Sequence, residues 1–404
     1  MDDQRFAATE ADAEQRARDF LARMDPSDGV GDRHHTVPRF LLERFSTDDQ
    51  VAVRFIDNGR SEIVNIRDLA VRDFYTFLAE PESEGMAPFP NGVLEKLLCS
   101  IEGDAAAVLR RLDEAPTQQT TKDEKYALIQ FAAFQFGRGV RTRVQIELLG
   151  EYWAKTMLAK RDLGRRFEHK AGIRAARKAG RTPARGNRSK DRRYNESRPT
   201  DAMLRSMAIR PHPNEHIRMM GPMAKQAMQH LGVRPLTLVD LDQPLLMLAD
   251  EPLVVIDEPA SEHQPECFLT DSQRQRRLQR ALKAGREARE LVHLYPTRPS
   301  SIAVSDQVAM AVSPTRLLVW GKAGTQPPHY HHLEGAEAIE LADDLNRRQI
   351  AQAYLWIAAR RDHPGIQTMT VPGRTPVFGI CDATSAASEA VAAAPKGFER
   401  LKRT

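Results

Sequence analysis

One stretch constrains this chain more than any other: His34-His35-Thr36-Val37-Pro38-Arg39-Phe40-Leu41-Leu42-Glu43-Arg44-Phe45. A proline fixes φ and suits the first position of a helix, so a short amphipathic helix is expected to begin there, anchored by Phe40, Leu41, Arg44 and Phe45. The two imidazoles then sit just ahead of its amino end, where free N–H groups and the helix dipole favour anions. Imidazole titrates near neutrality and can serve as metal ligand, general base or proton donor. Adjacent side chains rarely face one centre, so one histidine is expected in a site while the other holds the loop. The plainer reading is that both serve packing.

After Phe45, residues 51–56, the turn Asp57-Asn58-Gly59 and residues 63–66 read as a β-hairpin. A histidine near a hairpin raises the ββα-metal nuclease fold, but no histidine follows His35 until His169, which leaves the second ligand of that fold unsupplied. Helices come next. One covers about 93–112, and a longer one starts at the capping-box pattern Thr121-Lys122-Asp123-Glu124 and is expected to run to about 163. On the longer helix Gln135 and Arg138 fall on an apolar stripe with Leu128, Phe131 and Ala132. Buried polar groups need partners, so these two either line a pocket or satisfy main-chain groups.

Net charge is +4 over 404 residues, but it is unevenly placed. Residues 155–198 hold sixteen Lys or Arg against four acids, a net +12 that leaves the remainder of the chain at −8. Such asymmetry points to an anionic partner, nucleic acid being the commonest. From 171 to 199 helical periodicity is lost and Arg, Lys, Gly and Pro dominate, so residues 170–200 read as a mobile basic insertion. Arg177, Lys178, Arg181, Arg185, Arg188, Lys190, Arg192 and Arg193 are its candidate nucleic-acid contacts. Tyr194 is the sole aromatic there, so those contacts would go to phosphates rather than to stacked bases. A solvated basic loop that binds nothing is the plainer alternative.

A helix over 214–231 is expected next, then short apolar runs at 236–239, 245–248, 253–256 and 291–295 that suggest a sheet, with Asp250 at a turn between strands. A carboxylate at such a turn can bind a divalent ion or orient an imidazole, and capping the turn is the alternative. Residues 272–289 form a second basic helix candidate with Arg276, Arg280 and Lys283 on one side, most simply a solvated face. The last helical element is expected over 336–361, its stripe running through Ile339, Leu345, Ile350, Tyr354 and Ile357. The whole pattern predicts an α+β fold: a largely helical single unit over 31–382 with a small mixed or antiparallel sheet and the basic insertion. Residues 1–30 add a peripheral helix and residues 383–404 a weakly ordered tail.

Charged residues make up 28% and hydrophobic ones 41%, the balance of a soluble globular protein. No apolar run approaches the roughly 20 residues that span a bilayer, and Met1-Asp2-Asp3-Gln4-Arg5 does not begin a secretion signal, so a cytoplasmic protein without membrane contact is expected. Cys99, Cys267 and Cys381 are too scattered for a disulfide framework or a Cys-x-x-Cys zinc site. Glycine-rich nucleotide loops and a Gly-x-Ser-x-Gly elbow are absent, which argues against a nucleotide cofactor and against serine hydrolysis. His212-Pro213-Asn214-Glu215-His216 has inverted zinc-protease spacing, but Pro211 and Pro213 take His212 off the helix face. The cluster His329-Tyr330-His331-His332 reads as a loop able to bind a transition metal or nothing.

Several further segments accompany the histidine pair: Asn65-Ile66-Arg67, Asp73-Phe74-Tyr75, Leu94-Glu95-Lys96, Ile101-Glu102-Gly103-Asp104, Phe131-Ala132-Ala133-Phe134-Gln135-Phe136-Gly137-Arg138, Val312-Ser313-Pro314 and Leu345-Asn346. Over residues 30–362 this set resembles the bacterial domain-of-unknown-function family numbered 4238. The family's Ser-Asp-Asn-Pro signature is met by Ala249-Asp250-Glu251-Pro252, which keeps Asp250 and Pro252 but loses a hydroxyl and an amide. The resemblance supplies a family without a mechanism.

The functional expectation is a nuclease-like cytoplasmic effector of toxin or phage-defence type that cleaves phosphodiester bonds in RNA or DNA. His34 or His35 with Asp250 forms its catalytic group, either around a divalent metal ion held by His35 and Asp250 or as a metal-free acid/base pair. Arg39, Gln135 and Arg138 meet the substrate, with Arg39 or Arg138 neutralising phosphoryl charge. Nucleic acid and a protein such as an antitoxin are the expected partners. Two alternatives remain open. A non-catalytic nucleic-acid- or protein-binding scaffold requires the motif to be a buried start to a helix, and an enzyme on a small phosphorylated ligand requires a pocket too narrow for a polymer.

Overall fold

A computed structural model describes residues 34–72, 76, 92–155, 158, 203, 206–256, 279, 294–296, 302–303, 305–373 and 377–380. The expected peripheral helix, basic insertion and tail lie outside the described residues, as do Arg177, Lys178, Arg181, Arg185, Arg188, Lys190, Arg192, Arg193, Arg276, Arg280 and Lys283. The chain divides into two compact units, one formed by Met1–Thr142, Pro213–Pro259 and Ser300–Thr375, the other by Arg143–His212, Ala260–Pro299 and Pro376–Thr404.

The first unit is α+β. It opens with the two-residue strand β1 (His34–His35), helix α1 (Arg39–Phe45), strands β2 (Gln50–Phe55) and β3 (Ser61–Asn65), and the short β4 (Val71–Arg72). The histidines therefore lie in a strand, not in a loop at the helix start: His34 pairs with Arg72 and His35 with Val71. Pro38 caps α1, one position earlier than expected. The helix buries Leu41, Leu42 and Phe45, while Phe40 is partly exposed and meets Phe131 at a ring separation of 5.3 Å. Arg44 holds α1 down by donating to the Val312 carbonyl at 2.6 Å and to both oxygens of Asp113. The expected hairpin forms as β2 and β3, and its turn needs the left-handed conformation of Gly59, φ 65°.

Helix α2 (Val93–Glu114) buries Leu94, Leu98, Ile101, Ala105, Val108, Leu109 and Leu112, the three-and-four spacing of one apolar stripe. Helix α3 (Lys122–Arg138) starts at the expected capping box: Thr121 Oγ1 accepts the Glu124 N–H and Glu124 Oε2 accepts the Thr121 N–H. It does not run to 163. The chain turns extended at Gly139, where a β-carbon would collide with Glu251 Oε1, and that same oxygen accepts the Arg141 N–H at 3.0 Å. A carboxylate arriving from the distant 249–252 turn thus breaks the helix and caps an amide of the helical residues that follow.

Helix α4 (Asn214–Gly232) lies against α3, close enough that a β-carbon at Gly137 would stand 3.4 Å from Met220 Cγ. Strands β5 (Leu236–Leu241), β6 (Leu248–Ala249) and β7 (Leu253–Ile256) follow. In the second unit β8 (Leu294–Pro296) pairs antiparallel with β13 (Phe378–Ile380), and helical residues 143–155 bury the ion pair Glu151–Lys155, 2.8 Å. The first unit continues with β9 (Gln307–Ser313), β10 (Arg316–Trp320), β11 (Tyr330–Leu333), helix α5 (Gly335–Gln352) and β12 (Trp356–Ala359). Besides the β1–β4 pair, two larger sheets form among the described residues: a mixed five-stranded one, β11-β5-β10-β9-β7 with only β11 parallel to its neighbour, and an antiparallel four-stranded one, β3-β2-β12-β6. The single helix expected over 336–361 is instead α5 followed by an inner strand, which leaves Ile339 exposed and Ile357 fully buried.

A candidate acid/base site at His35

His34 is 1% exposed and faces the core side of β1. His35, on the other face, is half-buried and borders an open depression of about 510 Å³ with Arg39, Asn65, Arg67 and Asp68. The Ile66 main chain acts on the His35 ring, and the ring's Nε2 is buried without a partner. Burial lowers the pKa below the ordinary histidine value, Arg138 and Arg39 push it the same way, and Glu102 and the Ile66 carbonyl oppose them. The imidazole is thus held neutral at physiological pH, the form that accepts a proton.

Arg39 is exposed and pairs with Glu43 at 2.9 Å, one turn along α1, a surface contact that yields readily to another anion. Asn65 shapes the rim: its Oδ1 accepts the Arg67 N–H at 2.9 Å and its carbonyl accepts the Asp68 N–H. These side chains give the depression two guanidinium groups against one carboxylate.

Arg138 does not reach the depression. Its side chain is 3% exposed, with Nη1 donating to Glu102 Oε1 and Nη2 to the His35 carbonyl. Glu95, about two turns ahead of Glu102 on α2, has its pKa raised by burial and by Glu102, with Arg138 opposing; Cys99 between them is raised by burial and by both carboxylates, again with Arg138 opposing. Gln135 sits between Phe131, which touches Phe40, and Arg138, which touches His35, so it faces the same 35–40 segment. It is 1% exposed and neither atom of its amide has a partner.

Asp250 does not line the depression beside His35. It is fully buried, and its two oxygens accept the N–H groups of Tyr354 and Leu355, each at 2.9 Å. That is the turn-capping role, displaced from its own turn to the α5–β12 junction. Its charge also acts on Arg72, the partner of His34 across β1 and β4. Among the described residues no three His, Cys, Asp or Glu side chains gather as a metal-binding set. Elsewhere Glu215 pairs with Arg218 at 2.8 Å while His216 is buried, and the 329–332 histidines belong to or border the edge strand β11, with His332 on Glu334 and His329 on the Thr117 carbonyl.

The sequence singled out His35 and Arg39, and the structure brings them together. Asn65, Arg67 and Glu102 stood among the accompanying segments without a role, and Asp68 carried no signal. An α+β unit with a basic, histidine-bearing depression beside a short β1–β4 pair is the class this geometry defines. The chain belongs to the family described as "Protein of unknown function (DUF4238)", whose profile matches residues 33–363. No curated protein and no solved structure matches it. Among the described residues no helix is long and apolar enough to cross a membrane.

Proposed function

We propose that this protein cleaves phosphodiester bonds in nucleic acid, with His35 as general base. The observation that carries the reading is His35 itself, a half-buried imidazole that borders the depression beside Arg39 and Arg67. In this mechanism the neutral imidazole takes the proton of the attacking hydroxyl, from a ribose 2′-OH or from water. The oxygen forms a bond to phosphorus, the bond to the leaving oxygen breaks, and that oxygen takes a proton from solvent. Arg39 and Arg67 offset the charge on the non-bridging oxygens. An open depression suits a polymer better than a small phosphorylated ligand, and the +12 segment from 155 to 198 would add affinity through phosphates.

A binding scaffold is the second reading, favoured by the packing of the motif: Thr36, Val37 and His34 are buried, and Thr36 donates both its N–H and its hydroxyl to the Ala70 carbonyl. Digestion of RNA and DNA by wild-type and His35→Ala protein, with thermal melts in parallel, separates the two. A folded His35→Ala variant that cleaves at the wild-type rate removes the catalytic reading.

A further inference from the structure

We infer that Glu102 is a positioning residue for His35, acting through Arg138. The inference rests on the reading of His35 as the reacting group. One guanidinium spans three elements here: it comes from the end of α3, binds a carboxylate of α2 through Nη1, and binds the main chain of β1 through Nη2. The bonded atom is the carbonyl of His35, so the contact fixes the backbone that carries the imidazole rather than the ring. The next residue is tied from the opposite direction, because the Thr36 N–H donates to the Ala70 carbonyl at 2.8 Å. The ring is tied a third time through the Ile66 carbonyl. A two-residue strand has little rigidity of its own, and these ties supply what it lacks.

Glu102 is what keeps Arg138 in that position. A guanidinium 3% exposed to solvent needs a counter-charge, and Glu102, itself 20% exposed, is the carboxylate bonded to it. The fork geometry lets Arg serve the carboxylate and the carbonyl at once, which a single ammonium does not reproduce. Without Glu102 the guanidinium is drawn toward water or toward Glu95, and the His35 carbonyl loses its donor. The imidazole then wanders relative to Arg39 and the depression. A displacement of about 1 Å is enough to cost on the order of a hundredfold in rate.

The test compares Glu102→Ala, Glu102→Asp and Glu102→Gln with wild type and with His35→Ala in the full chain, using a labelled single-stranded RNA and its DNA counterpart. Glu102→Ala is expected to lower kcat by about tenfold to a hundredfold while KM stays within about twofold. Glu102→Gln keeps an acceptor for Nη1 without the counter-charge and should recover only part of that loss. Hydrogen exchange at the Thr36 amide reads the clamp without turnover, and it should quicken in Glu102→Ala by more than the change in global stability accounts for. If the alanine variant does not fold, Glu102→Asp, one methylene short, is expected to show the same split. A folded Glu102→Ala or Glu102→Asp variant with wild-type kcat, with a raised KM alone, or with an unchanged Thr36 exchange rate overturns the inference while leaving His35 as the base. A fully active His35→Ala protein overturns the catalytic reading, and the positioning role falls with it.

Discussion

The Asp250 carboxylate receives the main-chain N–H of Leu355 at 2.9 Å, and its second oxygen receives that of Tyr354. Asp250 in turn donates its own N–H to the Trp356 carbonyl, so a residue of the 249–252 turn fixes the point where α5 ends and β12 begins. An aspartate that reads as a catalytic partner for histidine is thereby a joint between helix and strand. Asp250→Asn places an amide N–H against a main-chain N–H, and it is expected to cost about 1.5 to 3 kcal/mol of stability. Urea unfolding measures this, and activity should fall only in step with the folded fraction. A stable Asp250→Asn protein that has lost its activity would return Asp250 to the catalytic group.

His35 links activity to pH in a definite direction. Its folded pKa lies below the value of 6.5 that serves the unfolded chain, so the unfolded state binds more protons as the pH falls toward and below 6.5. The stability due to neutral His35 is present above the unfolded pKa and is lost as pH falls through the folded one. His35→Gln should therefore flatten the decline of melting temperature between about pH 7 and pH 5. The cleavage rate of the wild type should rise with pH through the folded value and then level off. A rate that is flat over this range contradicts His35 as the base.

Gly139 is held by proximity rather than by its dihedral angles, since its φ of −63° suits any residue. Gly139→Ala drives a methyl group into the Glu251 carboxylate, which is buried and bonded to the Arg141 N–H. The expected loss is about 1 to 3 kcal/mol, measured by thermal or urea melts. Because the clash is with Glu251, the double variant Gly139→Ala, Glu251→Ala should lose less than the sum of the single changes.

Gln135 tests whether a buried polar group is used. Its amide atoms have no partner, so Gln135→Leu, close in size and apolar, is expected to leave stability unchanged or raise it. A marked fall in melting temperature would show that the amide is satisfied in solution, for instance by a buried water.

Charge in the 177–193 segment can be tested without reference to its conformation. Changing Arg177, Lys178, Arg181, Arg185, Arg188, Lys190, Arg192 and Arg193 to Gln should weaken nucleic-acid binding and flatten its dependence on salt, because every phosphate left without its cation keeps roughly one counterion that binding would otherwise release. Equal affinity and an equal salt slope in wild type and variant assign the segment no electrostatic role.

What the sequence determined is what is local along the chain. The Thr121–Glu124 box, the apolar stripe of α2, the hairpin around Gly59 and the pairing of His35 with Arg39 in one motif all lie within a few residues, where periodicity and hydrogen-bond geometry are decided by neighbours. The resemblance to the family was also legible in local segments, and the family profile matches residues 33–363. What only the tertiary structure decided is where buried polar groups find their partners. Arg138 meets the His35 carbonyl, Asp250 meets Leu355, and Glu251 meets Arg141, each across a long stretch of chain. Those three interactions give Arg138 a main-chain carbonyl of β1, give Asp250 the junction of α5 and β12, and divide one expected long helix into two. A buried donor or acceptor must be satisfied, but the sequence around it carries no mark of which distant group will do so.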